Sequence, residues 1–182
     1  MLMNIFKLPA QIFTLIFFAV LIIGEAVADS TEYRMNAGDR ISIRVYGEND
    51  LNFDVMLAES GNINYPFLGE IKISGLTPSE LEALIVKGLK DDYLINPNVT
   101  VSVTQYRPVF IYGEVQSPGG YTYQPGLTVG KIAALAQGMT ERGSENRIFL
   151  IREGESEDKR KRASMSTKLR PGDVVTIEQG FF

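Results

Sequence analysis

The chain of 182 residues is 45% hydrophobic and 22% charged, which places it among ordinary globular proteins and outside the disordered class. It contains no His and no Cys, which excludes the usual zinc, copper and haem ligand sets, His-based triads, cysteine nucleophiles and disulfides. A net charge of −4 argues against a protein built to neutralise a phosphate backbone, so no nucleic-acid partner is expected.

Lys7 precedes a run from Ile12 to Gly24 that is apolar except for Thr14, and the small-x-small triplet Ala26, Val27, Ala28 closes it. This pattern predicts a secretory signal peptide over residues 1–28, cleaved after Ala28. A short anchor that stays attached is the alternative, although the run falls short of the roughly 18 apolar residues that span a bilayer. Cleavage removes one base, Lys7, and one acid, Glu25, so the net charge is unchanged. Without Cys the mature chain is expected to be no lipoprotein and to hold itself by packing alone.

From Tyr33 onward the pattern is mostly of period two. Ile41, Ile43 and Val45 alternate with Ser42 and Arg44, and Val99, Val101 and Val103 alternate with Thr100, Ser102 and Thr104. Both runs predict half-buried strands. Between them Thr77, Pro78 and Glu80 form a capping box that opens a helix, with Leu81, Leu84, Ile85 and Leu89 on one stripe. A second unit opens near Tyr106: a strand over Arg107–Val115, a turn over Gln116–Gly120 and a short strand from Tyr121 that ends in a second turn. A helix follows, capped by Thr128, with Val129, Ile132, Leu135 and Ala136 on one face and Gly138 as its stop. Strands over Asn146–Glu153 and from Asp173 complete the outline of a β-grasp fold.

The expected fold class is therefore α+β in two small domains. Residues 29–105 form an N-terminal domain with a mixed sheet and one packed helix, and residues 106–182 form a C-terminal β-grasp domain. A Gly-Asp turn launches a strand in each, at Gly38-Asp39 and at Gly172-Asp173. The recurrence reads as shared turn chemistry rather than duplication, because the units are otherwise unlike.

Searches for chemistry mostly fail. Asp50, Asn52 and Asp54 have EF-hand spacing, but Val55 and Gly61 stand where Gly and Glu are required, so a solvated loop is expected. Gly138 and Gly143 have P-loop spacing but lead into Ser144-Glu145, which cannot hold phosphate. The adjacent carboxylates Asp91 and Asp92, and Glu80 and Glu82 on the helix, have structural explanations. No catalytic residue, metal or cofactor is expected. The basic run Lys159, Arg160, Lys161, Arg162 follows four acids, and reads either as a solvated hairpin tip or as a docking surface for an acidic partner or anionic glycan.

Several phrases together resemble the bacterial polysaccharide biosynthesis/export family, the Wza-type exporters. The first half carries "YRMNAGDRISIRVYGENDL", "ESGNINYPFLGEIKISGLTPSELEALI" and "INPNVTVSVTQY"; the second carries "VFIYGEVQSPGGYTYQPGLTV", "ALAQGMTERGSENRIFLIR" and "LRPGDVVTI", which are similar to the family's SLBB β-grasp domain. The resemblance implies a non-enzymatic periplasmic protein associated with the outer membrane. It would form a homo-oligomeric ring as a conduit for capsule or exopolysaccharide, working with an inner-membrane copolymerase of the Wzc type. The missing lipid-bearing Cys and the single SLBB unit imply a short form that relies on a separate outer-membrane β-barrel. Tyr65, Tyr121 and Tyr123, taken as exposed, are candidate sugar-stacking faces, with core or interface packing as the other reading. A monomeric periplasmic module that binds a saccharide is the competing function.

Overall fold

The computed structural model describes residues 32–90 and 92–180. The expected signal segment over residues 1–28, Asp91 and the closing Phe181 and Phe182 lie outside them.

The first half is built on β1 (Arg40–Val45), which lies between β2 (Phe53–Met56) and β5 (Val99–Gln105). Both pairings are antiparallel, with Ile43 opposite Phe53 on one side and Val101 on the other. Where a mixed sheet was expected, this sheet is therefore antiparallel throughout, because the chain reverses after β1 and the long return through the helix brings β5 in against β1's direction. A separate hairpin joins β3 (Asn62–Tyr65) and β4 (Gly69–Lys72). The run through Asp50, Asn52 and Asp54 is not simply loop. Asp50 lies in a 3₁₀ turn, Asn52 Oδ1 accepts the Val45 N–H at 2.9 Å, and Asp54 enters β2 to pair with Arg44.

Helix α1 (Pro78–Leu89) begins at the expected box. Thr77 Oγ1 accepts the Glu80 N–H at 3.1 Å and Glu80 returns the contact to the Thr77 N–H at 2.8 Å. Leu81, Ile85 and Leu89 are buried, each contributing about 1.5–3 kcal/mol by leaving water. Leu84, expected on that stripe, is exposed. Glu82 reaches β5, where Oε1 accepts the Val101 N–H at 2.7 Å and closes a donor on that edge strand. The core of this half gathers Ile41, Ile43, Ile73, Leu81, Ile85 and Tyr65.

The second half is a five-stranded sheet of order β7-β6-β10-β8-β9. Its strands are β6 (Val109–Gly113), β7 (Gly119–Tyr121), β8 (Gly143–Ile151), β9 (Lys161–Ala163) and β10 (Val174–Gln179). The first and last of these strands, β6 and β10, run parallel side by side, and the other pairings are antiparallel, which is the β-grasp arrangement. Helix α2 (Val129–Leu135) buries Val129, Ile132 and Ala133 in a core shared with Ile111, Ile148, Val175 and Ile177. Thr128 caps it, accepting the Lys131 N–H at 3.3 Å. Leu135, expected to be buried, is exposed. β1 and β10, the strands that follow the Gly-Asp turns, each have a partner on both sides.

Candidate functional site

The two Gly-Asp turns are the same device used twice. Gly38 and Gly172 have φ of 89° and 84°, a conformation open to glycine and costly for other residues. The aspartates that follow are 0% and 1% exposed. Asp39 Oδ2 accepts the Asn36 N–H at 2.8 Å and Asp173 Oδ2 accepts the Arg170 N–H at 2.7 Å, so each carboxylate closes its own turn across three residues.

A buried carboxylate must also be paired. Asp39 takes two bonds from Arg107, the backbone N–H to Oδ1 at 3.0 Å and the guanidinium to Oδ2 at 2.9 Å, and a third from the Tyr33 hydroxyl. The second guanidinium nitrogen of Arg107 reaches Glu153, beyond the end of β8. The next residue back, Arg152, is the partner of Asp173. The linker is held from both directions, since the Gly172 N–H donates to the Pro108 carbonyl at 3.1 Å. Beside these bonds runs a ladder of rings: Tyr33 meets Tyr106 edge-on at 4.9 Å between centroids, and Tyr106 meets Tyr123 edge-on at 5.3 Å.

The electrostatics suit a permanent latch. Burial, reinforced by the bond to Asp39, pushes the Tyr33 phenol far above its ordinary range and keeps it a neutral donor. Burial also raises Asp173, against the downward pull of the Arg170 N–H and Arg152. No side chain of the cluster is an activated nucleophile. Among the described residues no group of three or more Asp or Glu is placed to hold a metal ion. What the arrangement can do is fix one sheet against the other.

The predicted glycan contacts do not converge. Tyr65 is a correction: it is 1% exposed, and its hydroxyl donates to the Leu51 carbonyl at 2.8 Å, so it offers no face to a sugar. It alternates with Asn64 and shares the inward face of Ile63. Tyr121 is half-buried, donating to the Ser117 carbonyl at 2.6 Å, and Tyr123 belongs to the ring ladder of the joint. The basic run is divided by strand alternation. Arg162 lies opposite Phe149 and Lys161 opposite Leu150, residues on opposite faces of the sheet. Arg160 bonds Glu178 at 2.9 Å, Lys161 reaches Glu155 at 3.3 Å, and Lys159 is exposed in a 3₁₀ turn.

Two features escaped the sequence reading. One is Arg107, whose partners are far away along the chain. The other is an exposed aromatic pair, Phe67 and Tyr93, with ring centroids 4.7 Å apart. Phe67 follows Pro66 in a tight turn closed by the Leu68 N–H to the Tyr65 carbonyl at 3.2 Å, and its φ is +64°. That is the position where a type II turn calls for Gly or Asn. Phe67 is nevertheless 63% exposed, so its backbone strain is not offset by burial.

Residues 27–104 match the family model for polysaccharide biosynthesis/export proteins, and residues 108–162 match the model for the SLBB domain. The chain carries a polysaccharide export domain followed by an SLBB domain. Arg107 lies in the gap between the two matched segments. The exopolysaccharide production protein ExoF of Rhizobium meliloti is 34% identical over 73% of this chain and 35% of its own length. The polysialic acid transport protein KpsD of Escherichia coli is 36% identical over 54% of this chain and 18% of its own. The EPS I polysaccharide export outer membrane protein EpsA of Ralstonia nicotianae is 29% identical over 86% of this chain and 50% of its own. The chain thus spans half the length of these relatives or less. Among the described residues no helix is long and apolar enough to cross a membrane.

Proposed function

We propose that this protein is a non-enzymatic periplasmic part of a capsule or exopolysaccharide export machine, associated with the outer membrane, in which copies form a ring around the passing polymer. The similarity to export proteins of three bacteria supports the pathway. The observation that carries the ring is the latch at Arg107, bonded to Asp39 of the export domain and to Glu153 of the SLBB domain. A closed ring needs every copy to repeat one rotation, so two domains that enter it as a unit must not swivel.

The strained pair Phe67 and Tyr93 supports the same reading. A chain that worked alone would have no use for an exposed aromatic surface kept at a cost in backbone conformation. In the assembly this surface is covered by a neighbouring copy. An inner-membrane copolymerase would deliver the polymer, and a separate β-barrel would carry it across the outer membrane.

The test is the native mass of the purified protein together with a gene deletion. A multi-subunit ring, and a deletion strain that makes polymer but does not release it, are expected. A stable monomer that binds saccharide would support the simpler binding module, and unchanged polymer release in the deletion strain would defeat the export role.

A further inference from the structure

Helix α2 covers one face of the SLBB sheet, where Ile111, Ile148, Val175 and Ile177 are fully buried. The other face carries the alternate residues of the same strands, and among the described residues no helix lies on it. Across it the register sets Tyr112 beside Thr176, Thr176 beside Phe149, and Phe149 beside Arg162. Four strands at the ordinary spacing make this row about 14 Å wide. It reads aromatic, hydroxyl, aromatic, guanidinium.

The surroundings hold that row in place. Phe110 lies down over β7, where a Cβ on Gly120 would come within 2.9 Å of its ring, and it stacks parallel to Tyr112 with centroids 6.3 Å apart. Arg160 lies over the Phe149 ring at 4.4 Å. Glu178 pairs with both Arg147 and Arg160, at 2.9 Å from the latter. Arg160 also lies 3.9 Å from Glu157, so two carboxylates answer Arg147 and Arg160, while Arg162 is exposed with no ion pair among the described residues. In a protein of net charge −4 this face has a local positive excess.

We infer that the outer face of the SLBB sheet binds an acidic saccharide, with the ring of Tyr112 receiving a sugar face and Arg162 taking a carboxylate. The inference rests on the export reading and narrows it to a class of polymer. Charge complementarity sets the sign of the ligand, and the planar fork of arginine suits a carboxylate. A second copy of the chain is a poorer occupant, because cores of protein interfaces are depleted of charge. Of the large apolar residues on this face only Tyr112 is exposed.

The experiment is titration of the purified protein with oligomers of polygalacturonate and alginate, followed by calorimetry, with methyl-esterified polygalacturonate as the uncharged control. At least one acidic oligomer is expected to bind, more weakly as salt rises, with the ester at least tenfold weaker. Arg162→Ala and Tyr112→Ala should each weaken binding about fivefold or more while leaving the melting temperature unchanged. The inference is overturned if no acidic oligomer binds, if the ester binds equally well, or if both variants bind like the parent. Native mass read on the same samples separates the two ideas: an intact ring without binding removes only this site, and a monomer that binds removes only the conduit. Loss of the ring in Arg162→Glu, with no oligomer bound by the parent, would assign the face to a second copy instead.

Discussion

Arg107 and Asp39 are joined twice, through the Arg107 backbone N–H at 3.0 Å and its guanidinium at 2.9 Å, so one linker residue is bound by both its main chain and its side chain. The pair is almost wholly out of water, with side-chain exposures of 12% and 0%. Breaking a buried pair from one side leaves the other charge stranded, at a cost of about 3–5 kcal/mol. Asp39→Asn is therefore expected to destabilise the protein by about 3 kcal/mol in urea unfolding and to split one transition into two. Asp54→Asn, which removes the exposed partner of Arg44, should change neither the midpoint nor the number of transitions. A single unshifted transition in Asp39→Asn would remove the latch from the account.

Phe67 gives a test of sign. At an ordinary exposed turn position Ala is more stable than Gly, because Gly loses more backbone freedom on folding. At φ of +64° the order should invert, with Phe67→Gly more stable than Phe67→Ala by about 1 kcal/mol. Thermal melts of the two variants decide it. Both should assemble less well than the parent if Phe67 and Tyr93 meet a neighbouring copy.

The acid limb of stability should depend on Glu178. Its bond to Arg147 holds its carboxyl below the usual carboxylate range. A carboxylate depressed in the folded state adds stability above its unfolded pKa, about 4.3 for Glu, and loses it as pH falls through the folded value. Asp173, raised by burial, acts in the opposite sense and favours the fold as it takes up a proton. Glu178→Gln should therefore flatten the loss of stability below about pH 4, seen as melting temperature against pH. A parallel curve displaced by a constant would contradict this.

Thr77 and Glu80 satisfy each other's backbone N–H groups at the start of α1. Thr77→Ala removes one half of the box and should cost about 1 kcal/mol. The loss should appear in the chemical-denaturation midpoint.

Local rules made much of the fold readable. The alternation of Ile41, Ile43 and Val45, the Thr77–Glu80 box and the Thr128 cap each depend on residues a few positions apart, and the structure places them where those rules put them. The failures share a cause. Leu84 and Leu135 sit at helical spacing from buried neighbours, yet the width of the covered stripe depends on what packs against each helix, and both remain exposed. Tyr65 was readable as core: Asn62, Ile63, Asn64, Tyr65 alternates, and the aromatic falls with Ile63. The same rule applied to Lys161 and Arg162 would have split the basic run. Arg107 gave no local sign, since its partners Asp39 and Glu153 are remote in sequence. The one hint was the repeated Gly-Asp, an acidic residue placed just where a strand enters the interior.

The sharing of Arg107 between Asp39 and Glu153 has a consequence for how the molecule matures. Synthesis delivers Asp39 long before Arg107, and Arg107 before Glu153, so the leading half must wait with an uncompensated acid at its heart. Arrival of the linker is then a checkpoint for the leading half, and a product truncated before Arg107 would be left open to proteases.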